Sequence, residues 1–107
     1  DREISQNVLV REGYRVGILN ATSVNGLAGR ARRFLTNQGT NVVFLDSQGS
    51  GLSQCEVSYA NEALETSKTL RLMVEYFDCK ISQNKDLDSR FDLLIVLGNQ
   101  FAQRFEQ

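Results

Sequence analysis

The sequence contains no histidine and no proline among its 107 residues. Without histidine, the usual general base and the commonest metal ligand are both missing. No serine or cysteine can then be paired with an imidazole. A Ser–Lys dyad stays formally open through Lys68, Lys80 and Lys85, but nothing in their context supports it. Proline averages about 5% of residues, so its absence leaves every loop to turn on Gly, Asn, Asp or Ser. Tryptophan is also absent, which excludes little. Two cysteines are too few for a disulfide framework, and Cys55 and Cys79 are too far apart for a CxxC or zinc-type motif. No apolar run approaches the roughly 18–20 residues of a membrane span. The longest, residues 93–97, has the length of a strand. The net charge of −1 gives no argument for nucleic acid or an anionic membrane. The first residue is Asp1, so the sequence reads as a processed product or an excised piece, with any signal or anchor upstream.

What is present is an ordinary globular mixture, 41% hydrophobic and 23% charged, sized for one domain. A chain of this length buries roughly 60–70% of its unfolded surface, enough for a core without metals. Residues 1–13 read as a linker or edge segment. Within them, Val8-Leu9-Val10 can pair with the next strand through a turn at Gly13. Residues 14–107 read as a single domain.

Residues 14–20 read as a buried strand around Val16, Ile18 and Leu19. Asn20-Ala21-Thr22-Ser23 then turns, and Thr22 or Ser23 can cap a helix. Val24, Leu27, Ala28, Ala31 and Leu35 recur at helical spacing, with Phe34 widening the face and Gly39 ending it. Residues 41–46 form a second strand. A Gly/Ser-rich loop follows over residues 47–53. Cys55, Val57 and Tyr59 alternate with Glu56, Ser58 and Ala60, which predicts a half-buried strand with one wet face. Residues 62–77 predict one amphipathic helix with Ala63, Leu70, Met73, Val74 and Phe77 inward. A short strand over residues 79–82, a polar acidic loop and the apolar strand 91–97, read as central, complete the set. The fold class expected is α/β (α+β). Two βαβ units build a mixed, largely two-layer sheet of about five strands with two main helices.

The turn before the first helix resembles a phosphate site in outline, because helix N-termini bind anions. Its glycine spacing matches neither GxGxxG nor the P-loop, and no lysine follows Gly29. Plain capping is one reading, with Gly26 and Gly29 placed where a side chain would collide with the strands. The other is a ligand-binding set of Asn20, Thr22, Ser23, Asn25, Gly26, Arg30 and Arg33. Arg30, Arg32 and Arg33 are a solvated helix face or a patch for a polyanion. Nucleic acid is not expected, since aromatic interleaving is missing. Asp86, Asp88 and Asp92 lack EF-hand spacing and read as a solvated loop. Cys55 and Cys79 start the strands flanking the second helix. A right-handed crossover between adjacent strands brings such starts to one sheet edge. Either they bond, worth roughly 3 kcal/mol, or they are buried thiols. No catalytic residue, metal or cofactor is expected.

With these elements placed, residues 14–102 resemble the LytR C-terminal domain of LytR–CpsA–Psr-type cell-envelope proteins. The resemblance rests on Val16-Gly17-Ile18-Leu19-Asn20, Gly26-Leu27-Ala28, Gly39 with Val42-Val43, the Val57–Tyr59 strand, the second helix, Asp92 and Ile95-Val96-Leu97-Gly98 with Phe101. The family usually carries Asn-Gly-Thr/Ser where this chain has Asn20-Ala21-Thr22. The resemblance implies an extracytoplasmic location in a bacterial envelope, with any membrane attachment through an upstream anchor outside this chain. It does not imply the phosphotransferase activity of the catalytic domain that often precedes it. The expectation is a non-catalytic accessory or binding module that contacts cell-wall polymer or another envelope protein. The alternatives are a dimerisation module docking through Phe101 and Phe105, and an unrecognised nucleotide-binding enzyme.

Overall fold

The computed structural model describes residues 8–47 and 53–101. Five strands form one sheet: β1 (Arg15–Asn20), β2 (Asn41–Ser47), β3 (Glu56–Tyr59), β4 (Lys80–Gln83) and β5 (Leu93–Leu97). Residues 8–12 are helical and are called α1. The main helices are α2 (Leu27–Asn37) and α3 (Lys68–Phe77). A 3₁₀ stretch covers Glu62–Thr66, and residues 99–101 are helical.

The strand order is β2-β1-β5-β3-β4. β1 runs parallel to β2 and β5, and β3 runs parallel to β4 but antiparallel to β5. The apolar strand β5 is therefore the middle of the sheet, as its composition predicts. The sheet is mixed and built from two βαβ units, β1–α2–β2 and β3–α3–β4. These units step outward in opposite directions and run antiparallel to each other. A right-handed crossover in each then puts both helices on the same face. Aromatic contacts between the helices agree: Phe34 of α2 stacks on Tyr76 of α3 at 3.6 Å. Phe34 also meets Phe77 edge-on at 6.0 Å.

The core lies between this helical layer and the sheet. Leu27, Ala28, Ala31 and Leu35 of α2 are buried against Val16, Ile18, Leu93, Ile95 and Leu97. Leu70, Met73 and Phe77 of α3 complete it, and Val24, Phe34 and Val74 pack at its margin. Phe101 is 2% exposed and lies 4.7 Å from the Phe77 ring. It is thus a core residue and not a docking residue on a tail; Phe105 lies outside the described residues. Gly39, at φ 101, closes α2 with two reversed hydrogen bonds. Thr40 N donates to Leu35 O at 2.9 Å and Gly39 N to Thr36 O at 3.0 Å, the pairing that satisfies a helix's last carbonyls.

Four expectations are corrected. Residues 8–10 are helical, not a strand, and Leu9 is buried. Gly13, at φ 62, ends that turn. The second helix does not run unbroken from Glu62. Ser67 is extended, and its hydroxyl accepts from Leu70 N at 3.1 Å, starting α3 afresh. The break turns the preceding turn over, so Leu64 is buried and Ala63 exposed. β3 is drier than expected on its second face, where Ser58 is buried and Glu56 half-buried. Finally, Gly26 and Gly29 avoid no collision: a Cβ on either would meet nothing within 4 Å. The tight glycines are Gly17, whose Cβ would lie 2.9 Å from Phe91, and Gly98, whose Cβ would lie 2.6 Å from the Gln54 backbone.

Cys55 and Cys79 are joined in a disulfide with a Cα–Cα distance of 4.4 Å. Both residues immediately precede parallel, adjacent strands, so the bond ties the two ends of the β3–α3–β4 unit at one sheet edge. The Gly/Ser-rich loop falls mostly at residues 48–52, outside the described residues.

Candidate functional site

The sequence places its candidate site at the turn from β1 to α2, and the structure divides those residues in two. Asn20 and Thr22 are buried, at 5% and 8% exposure. Asn20 Nδ2 donates to Val24 O at 2.9 Å. Asn20 Oδ1 accepts from Thr22 N at 3.0 Å and from the Thr22 hydroxyl. Val24 N donates to Thr22 Oγ1 at 3.1 Å. Their polar atoms are thus used to hold the turn. Neither Thr22 nor Ser23 caps α2. The N-cap is Gly26, at φ 81, with no side-chain hydrogen bond. The intervening Val24-Asn25 turn separates Thr22 from the helix, which is why the expected cap falls short.

Ser23, Asn25, Gly26, Arg30 and Arg33 are exposed, as is Arg32. Helix α2 carries these three arginines and no acidic residue. Cations in the first turns add to the positive end of the helix dipole instead of offsetting it. A shallow depression of about 360 Å³ lies at the helix start between Asn20, Gly26, Gly29 and Asp46. The Asp46 carboxylate there opposes an anion at the helix end, so the favourable ground for one is the arginine row.

The acidic loop serves the scaffold. Asp92, just before β5, is tied to the first residue of β1: its carboxylate accepts from Arg15 N at 2.8 Å and pairs with the guanidinium at 3.2 Å. In return Asp92 N donates to Arg15 O at 2.7 Å. Burial alone raises the Asp92 pKa, but the hydrogen bonds from Arg15 prevail and hold it below the usual carboxylate range. Asp88 pairs with Arg90 at 2.9 Å, and the Arg90 guanidinium lies 4.7 Å over the Phe44 ring. Among the described residues, no group of three His, Cys, Asp or Glu is placed to hold a metal ion. None of their helices is long and apolar enough to cross a membrane.

Sequence reasoning passed over Glu12. Its carboxylate accepts from Lys68 N at 2.8 Å, Thr69 N at 2.9 Å and Thr69 Oγ1 at 2.6 Å. A residue of α1 thereby satisfies the start of α3, across 56 positions of chain. No local pattern announces such a contact. It also passed over Tyr59, whose hydroxyl donates to Glu65. That bond, with burial and the nearby carboxylates, pushes the Tyr59 pKa up to about 12.

A family model described as "LytR cell envelope-related transcriptional attenuator" matches residues 13–101. The chain belongs to the LytR C-terminal domain family. The match covers most of the chain and spans both βαβ units and the closing strand. Comparison with curated proteins and with solved structures finds no match. As a LytR C-terminal domain the chain is a cell-envelope-associated α/β domain. Its motif residues carry structural duties here. Ile18, Leu27 and Leu97 are fully buried, and Gly98 lets the Gln54–Cys55 backbone approach the end of β5. Ala21, where the family usually has Gly, is buried and donates its N–H to Leu97 O at 3.1 Å.

Proposed function

We propose that this LytR C-terminal domain is a non-catalytic accessory module on the outer side of a bacterial envelope, where it contacts anionic cell-wall polymer. The observation that carries the contact is the arginine row of α2. Arg30, Arg32 and Arg33 are all exposed on a helix without acids, beside a turn held by Asn20 and Thr22. A polyanion gains from such a row by charge alone and needs no deep pocket.

The location is supported by the Cys55–Cys79 bond. Disulfides of this structural kind persist in oxidising compartments and are rare in a reducing cytosol. The residues present support the accessory role: there is no histidine, and Asp92, just before β5, is tied to Arg15 of β1 in the scaffold.

Titration of the 107-residue chain with purified wall polymer tests the contact. Binding is expected at low salt, to weaken as salt screens the arginines, and to fall in Arg30→Gln/Arg33→Gln. No binding at low salt, or undiminished binding by the double variant, overturns it.

A further inference from the structure

The two edges of the sheet are built differently. β4 has four residues, begins with Lys80 and carries Ser82 and Gln83. Shortness and lysine are ordinary devices against pairing with a foreign strand. β2 has seven residues, no lysine, and no charge before Asp46. β1 lies on one side of it and, among the described residues, no strand lies on the other. Val43 and Leu45 are 44% and 39% exposed there. One irregularity interrupts the strand. The register shifts between Val16 and Gly17, leaving Val43 without a partner in β1, while Phe44–Ser47 stay paired with Gly17–Asn20.

We propose that β2 pairs antiparallel with β2 of a second copy of this chain, about a twofold axis at Phe44, joining two five-stranded sheets into one. The strand reads polar, apolar, polar: Asn41, then Val42 to Leu45, then Asp46 and Ser47. Reversal about Phe44 sets Asn41 against Ser47 and Val43 against Leu45, twice over. Each exposed apolar side chain is then covered by its counterpart, the unit of stabilisation in paired strands. The charges choose the direction. A parallel, in-register pair sets Asp46 against Asp46, which repels. The antiparallel pair instead brings Asp46 of the second copy opposite Val42. There Arg32 lines a shallow groove with Val42, Val43, Phe44 and Leu45. The twofold repeats that approach in the other half, as an isologous interface requires.

A seven-residue strand pair buries less than a standard interface, so the dimer is weak, with a Kd on the order of 0.1 mM. The inference goes beyond the polymer reading and is independent of it. The polymer titration perturbs Arg30 and Arg33, and the present test perturbs β2.

Sedimentation equilibrium of the 107-residue chain across that concentration range reads the association directly. The weight-average mass is expected to rise from 12.0 kDa toward twice that value. Val43→Lys and Leu45→Lys each weaken association at least about tenfold, by placing a charge on the edge. Val10→Lys, at an exposed position of α1, and Ile81→Lys, on β4, leave it unchanged. A monomer at every concentration, or a dimer as tight in Val43→Lys as in the unaltered chain, overturns the proposal. Amide hydrogen exchange of the unaltered chain removes any dependence on how the variants fold. β2 amides slow as concentration rises and β4 amides do not; concentration-independent exchange in β2 overturns it equally.

Discussion

Replacing Glu12 with Gln removes a charge from the start of α3 and tests whether α1 belongs to the fold. The carboxylate accepts two backbone N–H groups and one hydroxyl, at 2.8, 2.9 and 2.6 Å. A side-chain cap is worth about 0.5–2 kcal/mol, and a negative charge at a helix N-terminus adds about 0.3–1 kcal/mol. Glutamine keeps one acceptor oxygen and the shape but loses the charge. Glu12 is half-buried, so water replaces part of what is lost. The expected cost at neutral pH is therefore about 1–2 kcal/mol. The pH dependence follows from the direction of the pKa shift. Burial by itself raises the Glu12 pKa, but the hydrogen bonds from Thr69 and the Lys68 backbone, with the Lys68 charge, outweigh it and lower it. A depressed carboxylate pKa contributes stability that is present above the unfolded value, about 4.3, and lost as pH falls through the folded value. Urea denaturation of both proteins at neutral pH and at successively lower pH reads the difference. The gap is expected to shrink as pH falls below about 4.3. A gap that is negligible at neutral pH, or that stays constant into acid, refutes the reasoning.

Two further predictions follow from the same structure. The Cys55–Cys79 bond closes a loop of 24 residues' separation, so its removal costs about 3 kcal/mol on the loop-entropy account, or roughly 10–20 °C in melting temperature for a domain of this size. Calorimetry of Cys55→Ala/Cys79→Ala checks this, and a fall of only a few degrees contradicts it. Gly98→Ala and Gly29→Ala should move stability in opposite directions. The first forces a Cβ to 2.6 Å from the Gln54 backbone and costs about 1–3 kcal/mol. The second adds a Cβ in open space within α2 and gains about 0.5–1 kcal/mol. Chemical denaturation separates them, and equal signs contradict the packing described for the two glycines.

The legible part of this fold was the part written in periodic residues. Leu27, Ala28, Ala31 and Leu35 announce the buried face of α2, and the run Leu93–Leu97 announces a strand inside the sheet, buried on one face and half-buried on the other. The misread parts are those where one side chain overrides a pattern. Ser67 breaks a helical period that otherwise runs on, because its hydroxyl offers a new start. The candidate site was only partly legible. Asn20 and Thr22 are polar residues beside a helix N-terminus, which reads first as turn construction and second as ligand binding. Their mutual hydrogen bonds, visible only in the folded chain, hold the turn.

The sequence alone determined that there is no imidazole chemistry, that strands and helices alternate in two βαβ units, and that one strand is uncharged and apolar throughout. These follow from composition and period, which are local and survive any packing. Tertiary structure alone decided which strands are neighbours, and hence that β2 is an edge strand among the described residues while β3 lies inside the sheet. It also decided that Glu12 starts a helix 56 residues away and that Gly17 and Gly98 are the crowded glycines. Those facts depend on contacts between residues far apart in sequence. Such contacts exist only once the sheet order is fixed.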